Sequence, residues 1–189
     1  MYLPQHGHIL DVGYGVGRAS YGLIQLGYKQ ITGIDCAPAM IDQARQLVVS
    51  SEGRVTFSVQ NVCHLACPDN TYNGAVAFHG ITPIPGHHNR KRALTHLHQA
   101  LAPSSHLVLS TFLREQPDFT TFWQEEQERR RMGKADHLFH ELGDKLVHKH
   151  EAVSVFLHIP SHDEFTVILE ESGFTVIESI SWEAYNISH

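Results

Sequence analysis

The chain has 189 residues, of which 42% are hydrophobic, and this fits one globular domain with a sizeable core. Its 14 basic and 20 acidic residues give a formal net charge of −6, which argues against a broad electrostatic contact with nucleic acid. Three cysteines, no apolar run long enough to cross a bilayer and no recognisable signal peptide predict a cytoplasmic protein with free thiols and no membrane partner.

The first predicted strand, His8–Val12, leads into a loop with three alternate glycines, Gly13, Gly15 and Gly17. Glycines at such a position let a ligand come close to the backbone. A tight strand-to-helix turn is the simpler interpretation of the same residues. A helix is predicted from Arg18 to Leu26, with Gly27 ending it.

The second predicted strand, Ile31–Ile34, ends at an acidic residue. Asp35 lies 20 residues beyond Gly15, near the offset at which a carboxylate reaches the two hydroxyls of a ribose. Asp35 would alternatively cap the helix whose first turn is predicted at Pro38. Together with the glycine loop, the carboxylate predicts a site for adenosine.

The spacing of the glycines narrows the choice of cofactor. The dinucleotide pattern G-x-G-x-x-G is incomplete, because its last position falls on Arg18 or Ser20, which weakens a nicotinamide-dependent oxidoreductase as an interpretation. Asp11 stands two residues before Gly13, where a carboxylate would repel a pyrophosphate but suits an ammonium group and a sulfonium. It needs loop amides or such a cation as partner, since an unpaired buried carboxylate is costly. S-adenosylmethionine is a ligand of this kind.

The remaining predicted elements alternate strand and helix, as a doubly wound sheet requires. They are strands at Val55–Val59, Gly74–Phe78 and His106–Thr111, a helix with the apolar stripe Ala93, Leu94, Leu97 and Leu101, and a helical face at Met40, Ala44, Leu47 and Val48. Ser161 and Glu164 form a capping box that opens a last helix, which Gly173 ends.

The segments Ile9–Arg18 and Gly33–Arg45 resemble the first two motifs of class I S-adenosylmethionine-dependent methyltransferases, and the later strands follow in that family's order. The resemblance implies an α/β fold with a doubly wound, mostly parallel seven-stranded sheet of Rossmann-like type. Strands at about 151–158 and 174–182 would complete its antiparallel edge. Residues 1–189 would form a single methyltransferase domain, with a helical insertion at about 113–150.

The resemblance also implies which residues contact the cofactor. The cofactor-binding residues expected are Asp11, Gly13, Tyr14, Gly15, Gly17, Asp35, Cys36, Met40, Asn61 and Val62. Tyr14 would cover the methionine end of the cofactor or project outward, and Met40 would cover the adenine or only pack in the core. Asn61 replaces the family's usual Asp but keeps a carbonyl acceptor for the adenine amino group.

Catalysis is expected in the loop after the fourth strand, because open α/β sheets bind ligands at the carboxyl ends of their strands. His79 comes first in that loop and is the predicted general base or a cofactor contact, with His87 and His88 as second choices. With 16 histidines in the chain, a histidine in any one loop is close to expectation. No metal is predicted, because nothing marks a set of three or four ligands.

The segment 113–150 is not needed by the core fold. Phe119, Phe122 and Trp123 share a helix face, and Glu125/Arg129 and Glu126/Arg130 are spaced as ion pairs, so an exposed helix is predicted. It would either help to choose the substrate or only cover an edge of the sheet. Few residues precede Ile9, so this segment or a second subunit of a homodimer would close the pocket, or the pocket would stay open and bind the cofactor weakly.

The sequence thus predicts a methyltransferase that transfers a methyl group to an oxygen or nitrogen atom of a small-molecule acceptor. The alternative is a non-catalytic S-adenosylmethionine-binding module, or a partner subunit of a methyltransferase.

Overall fold

A computed structural model describes residues 2–48, 54–134, 139–150, 153–181 and 184 of the chain. The strands and helices are, in chain order, β1 (His8–Val12), α1 (Arg18–Gln25), β2 (Gln30–Asp35), α2 (Pro38–Val48), β3 (Arg54–Val59), a short 3-10 helix (Val62–His64), β4 (Tyr72–Phe78), α3 (His87–Ala100), β5 (Leu101–Ser110), α4 (Pro117–Arg131), β6 (Asp144–His150), β7 (Val153–His158) and α5 (His162–Glu171). None of the helices among these described residues combines the length and apolar character needed to cross a membrane.

The main sheet has five parallel strands in the order β3-β2-β1-β4-β5. The strand order reverses between β1 and β4, and ligands of open α/β sheets bind at such a switch point, beyond the carboxyl ends of the strands. The loops that follow β1, β2, β3 and β4 all leave the sheet at this edge.

The predicted seven-stranded sheet is wrong, although the α/β fold and the parallel sheet are confirmed. β7 pairs antiparallel with β6 as a separate two-stranded sheet, from Asp144 opposite His158 to His150 opposite Val153. Residues 174–181, where the last edge strand was expected, contain no strand. β7 pairs with β6 rather than with the main sheet because the two strands are close in sequence, and pairing such segments costs little loop-closure entropy.

Alternate residues of β1 pack on opposite faces of the sheet. Ile9 contacts the cluster on the α1 side, with Leu23 and Ile31, whereas Leu10 belongs to the cluster on the α3 and α5 side. The buried residues of α3 and α5 in that second cluster are Ala93, Leu94, Leu97, Ala100, Phe165, Ile168 and Leu169. On α3, Ala93, Leu94 and Leu97 match the predicted stripe, whereas Leu101 lies at the start of β5. The two layers hold the carboxyl edge of the sheet in place.

The start of β5 and the face of α2 differ from expectation. β5 begins at Leu101 and contains Pro103. Proline has no N–H to donate, and an edge strand such as β5 tolerates it because one side of the strand has no neighbouring strand. The pairing with β4 shifts register in this part of the strand, and Ser104 has φ of 64°. On α2, Ala44 is fully buried but Leu47 is 38% exposed, so the predicted apolar face is only partly covered.

Candidate functional site

The glycine loop after β1 lies against two other loops. Gly13, Gly15 and Gly17 have φ of 68°, 53° and 85°, in the left-handed region that favours glycine. The N–H of Gly13 donates to the carbonyl of Ile34 at 2.8 Å, which holds the loop against the end of β2. A Cβ at Gly80 would lie 2.3 Å from the carbonyl oxygen of Val12. The loops after β1 and β4 are therefore in direct backbone contact, and only glycine fits there.

One side of the glycine loop is open, and a carboxylate lies beside it. A Cβ at Gly15 would meet no described atom within 4 Å. The N–H of Gly15 donates to Asp35 Oδ2 at 2.9 Å, and the N–H of Ala37 donates to Asp35 Oδ1 at 2.8 Å. Each carboxylate oxygen has a further lone pair. Asp35 is therefore fixed beside the loop while it keeps acceptor capacity for two hydroxyls.

Asp11 lies beneath the loop. It is 1% exposed, and its Oδ2 accepts from the hydroxyl of Ser20 on α1 at 2.6 Å. Its other oxygen, Oδ1, is buried without a hydrogen-bond partner among the described residues. Burial raises the pKa of Asp11 to about 6, although the Ser20 hydrogen bonds oppose the increase. The carboxylate supports the start of α1 from below, and its predicted contact with an ammonium group stays a prediction.

Tyr14 points into the protein. It is 4% exposed, and its ring lies 4.8 Å from that of Phe57 on β3. A Cβ at Gly33 would lie 2.9 Å from the Tyr14 ring, so the glycine of β2 makes room for it. The side chain anchors the loop to the sheet, and a cofactor contact by Tyr14 stays a prediction.

A cleft of about 240 Å³ opens at the ends of β2 and β3. Its lining residues are Cys36, Asn61, Cys63, Pro83, Ile84, Pro85, Asn89 and Arg92. Asn61 is exposed, and its Oδ1 accepts from the N–H of Cys63 at 2.9 Å, which caps the 3-10 helix. Val62 is buried in the core beside the cleft, and Met40 is half-buried on α2. The structure thus places Cys36 and Asn61, two of the predicted cofactor-binding residues, on one cleft.

His79 lies on the loop after β4, next to the glycine loop. Its φ is 57°, and its N–H donates to the carbonyl of Ser110 at 3.2 Å. The ring is exposed and stacks on Phe112 with 4.7 Å between ring centroids. His87 and His88 lie farther along, in the first turn of α3.

A buried network of charged side chains supports the loop after β4. His158 is 1% exposed, and its ring nitrogens lie 2.8 Å from Asp144 Oδ1 and 2.7 Å from Glu164 Oε1. Its backbone N–H donates to the carbonyl of Thr82 at 2.8 Å. This contact joins β7 to the loop that carries His79.

Two arginines complete this network, called here the His158 network: His158, Asp144, Glu164, Glu141, Arg90 and Arg114. Arg114 Nη1 lies 2.8 Å from Glu164 Oε2, and Arg90, which is 3% exposed, pairs with Glu141. Burial raises the pKa of Glu164, but the hydrogen bonds and charges of His158 and Arg114 outweigh it and lower the pKa to about 2.

The sequence did not reveal this network, because its members come from segments far apart in the chain. Glu141, His158 and Glu164 bring possible metal-ligand atoms within 4.8 Å of one another. Each of them, however, already has a protein partner of the opposite or complementary kind. The contacts support a structural role for the cluster.

A family model described as a methyltransferase domain matches residues 9–104, just over half of the chain. This chain belongs to that methyltransferase family. The match covers the glycine loop, Asp35, the cleft and His79, and it confirms the resemblance found in the sequence. S-adenosylmethionine is the cofactor of this family.

Two curated relatives of this chain come from fungi. The chain is 30% identical to the O-methyltransferase resE of Aspergillus sclerotiorum over 105 residues, which cover 54% of this chain and 39% of the relative. It is 27% identical to the O-methyltransferase rstn1 of Aspergillus nomiae over 176 residues, which cover 90% of this chain and 65% of the relative. The chain therefore spans only part of the length of the relatives it matches.

Among solved structures, an S-adenosylmethionine-dependent methyltransferase of Methanosarcina mazei is similar, with a TM-score of 0.77 and 24% identity. The alignment covers 97% of this chain and 89% of that one. At this identity the likeness shows the methyltransferase fold.

The residues at the site fit the family's cofactor. The open side of Gly15 leaves space for a ligand above the loop, and Asp35 offers acceptors to a ribose. Asp11 Oδ1, which is buried and has no hydrogen-bond partner in the described part of the chain, adds negative charge below the same loop, which suits a cation.

Proposed function

We propose that this chain binds S-adenosylmethionine and transfers its methyl group to an oxygen atom of a small-molecule acceptor. The observation that carries the proposal is the contact between Gly13 and Gly80, which brings the loop of His79 beside the glycine loop. The names of the two fungal relatives favour oxygen over nitrogen as the acceptor atom. The net charge of −6 favours a small acceptor over nucleic acid.

In this proposal the residues at the carboxyl edge of the sheet have different roles. The glycine loop and Asp35 hold the ribose and the amino acid part of the cofactor, and Cys36, Met40, Asn61 and Val62 surround the adenine. When bound, S-adenosylmethionine supplies a methyl group activated by a sulfonium. His79 takes the proton of the acceptor hydroxyl, and the loop after β4 aligns the acceptor oxygen with the methyl carbon.

We also infer that residues 113–150 belong to the same unit as the rest of the chain. Glu141 of this segment pairs with Arg90 at the start of α3 and accepts from the N–H of His87 at 2.6 Å. These contacts fix the segment beside the loop after β4, where it would act on the acceptor rather than on the cofactor.

The first test is calorimetric titration of the purified chain with S-adenosylmethionine, S-adenosylhomocysteine and NAD. We expect the chain to bind the first two compounds and not to bind NAD. Asp35→Ala should weaken this binding about tenfold or more, because a charged hydrogen-bond acceptor is lost. Asp69→Ala, at an exposed aspartate outside the site, is the matched control. A folded chain that binds no adenosyl compound would contradict the proposal.

A second measurement separates an enzyme from a non-catalytic binding module. His79→Gln should leave the affinity for S-adenosylmethionine unchanged and lower the rate of methyl transfer about 100-fold. Cofactor binding without transfer to any hydroxyl acceptor would instead favour the binding module.

A further inference from the structure

Three aromatic rings form a continuous surface from the loop after β4 to helix α4. The ring of His79 stacks on Phe112 at 4.7 Å and an interplanar angle of 23°. Phe112, just after β5, meets the edge of Phe119 on α4 at 6.2 Å and 78°. These two geometries are the ones that aromatic rings prefer. The aromatic surface, defined as His79, Phe112 and Phe119, thus joins the predicted catalytic loop to the 113–150 segment.

Much of this surface is exposed. Phe112 is 40% exposed, and Phe78, which precedes His79 at the end of β4, is 45% exposed. Large apolar side chains left open in a cluster mark a binding site more often than an ordinary surface. The cluster lies at the carboxyl edge of the sheet, where the acceptor of the methyl group must approach.

The far end of the surface is held in position by a cation. Lys145 Nζ, on β6, lies 4.1 Å from the ring centroid of Phe122 and 5.7 Å from that of Phe119. Such cation–π contacts restrain the rings of Phe119 and Phe122. The surface therefore has a fixed shape before a ligand arrives, which lowers the entropic cost of binding.

We propose that the acceptor is a planar aromatic hydroxyl compound, which stacks on the aromatic surface with its hydroxyl group at His79. The inference rests on the proposed methyl transfer and names its substrate class. A ring that stacks on aromatic side chains gains contact energy that a saturated ring of the same size does not. A phenolic hydroxyl, with a pKa of about 10, also gives up its proton to an imidazole far more readily than an aliphatic one.

The proposed step is balanced in atoms and electrons. The acceptor hydroxyl passes its proton to the imidazole of His79, and its oxygen forms the new C–O bond with the methyl carbon. The bond between that carbon and sulfur breaks, and its electron pair stays on sulfur and neutralises the sulfonium. The products are an aryl methyl ether and S-adenosylhomocysteine, and the proton on His79 leaves to solvent.

The test compares two probes with one carbon skeleton, 2-naphthol and its saturated analogue decahydro-2-naphthol. The purified chain receives S-adenosylmethionine at a saturating concentration set by calorimetry, and methylated product is measured by mass spectrometry. We expect transfer to 2-naphthol and none to the saturated alcohol. Equal turnover of the two probes would overturn the inference. Cofactor binding with no transfer to 2-naphthol would also overturn it, although the adenosyl site itself would then be supported.

Variants then locate the contact. Phe112→Leu keeps apolar bulk but removes the ring, and it should raise KM for 2-naphthol about three- to tenfold without changing the Kd of the cofactor. Tyr21→Leu is the matched control, since Tyr21 is 39% exposed but lies on α1. Circular dichroism of each variant verifies folding. An unchanged KM in folded Phe112→Leu would overturn the inference. If the parent chain does not bind the cofactor, both the inference and the proposed function are contradicted.

Discussion

Gly13 and Gly80 determine how closely the loops after β1 and β4 approach each other. Gly80→Ala would bring a Cβ to 2.3 Å from the carbonyl oxygen of Val12, so one of the loops must move. We expect a loss of about 1–3 kcal/mol in the free energy of unfolding, as for other overpacked positions, and weaker cofactor binding. Gly22→Ala is the matched control, because its Cβ on α1 would meet no atom of the described residues within 4 Å.

Urea denaturation followed by circular dichroism measures both effects. The Gly22→Ala chain should gain about 0.5–1 kcal/mol, since alanine is the better helix residue. Equal stabilities of the two variants would show that the loops are not in the contact described.

For single residues, the sequence predicts the position of those whose role depends on their neighbours in the chain. Asp35 and the loop glycines follow a buried strand at a fixed spacing, so their position at the carboxyl edge was predictable. Arg90 and His158 are different: the partners that allow their burial, Glu141 and Glu164 among them, come from distant segments. No local pattern signals such residues.

Helix α5 illustrates how far an element follows from its own sequence. Ser161 Oγ accepts from the N–H of Glu164 at 3.0 Å, and Glu164 in return accepts from the N–H of Ser161. Ser161→Ala should cost about 1 kcal/mol in the free energy of unfolding, while Ser161→Asn, which keeps an acceptor, should cost far less. Thermal and urea unfolding of both variants measure the difference, and equal losses would assign the effect to something other than the cap.

Several boundaries of the other elements were predictable for the same reason, whereas the start of β5 and the pairing of strands were not. β1 has the predicted bounds, and the ion pairs predicted on α4 are present, with Arg130 Nε at 3.0 Å from Glu126 Oε1. The strand at 153–158 also exists, but its partner is β6 rather than the main sheet. A strand's own residues specify which faces are apolar, but several partners satisfy the same pattern.

On the scale of the whole molecule, the buried Asp11 and the half-buried Glu164 have opposite effects on the pH dependence of stability. The pKa of Asp11 is about 6 in the folded chain against an ordinary 3.8, so the folded state binds its proton more tightly and loses stability as pH rises from about 4 to 6. The pKa of Glu164 is about 2 against an ordinary 4.5, so its contribution is present above pH 4.5 and is lost as pH falls toward 2. Each difference corresponds to about 3 kcal/mol.

The free energy of unfolding should therefore be highest near pH 4 to 5 and fall on both sides, a profile that urea titrations between pH 3 and 8 can measure. Asp11→Asn keeps an acceptor for Ser20 but removes the charge, and it should flatten the curve between about pH 4 and 6. Glu164→Gln should instead flatten the acid side below about pH 4.5, because it removes the carboxylate whose pKa the folded state lowers. The two variants serve as controls for each other, since each should leave the opposite side of the profile unchanged. An acid side that is as steep in Glu164→Gln as in the parent chain would show that the ion pairs of Glu164 do not stabilise the fold.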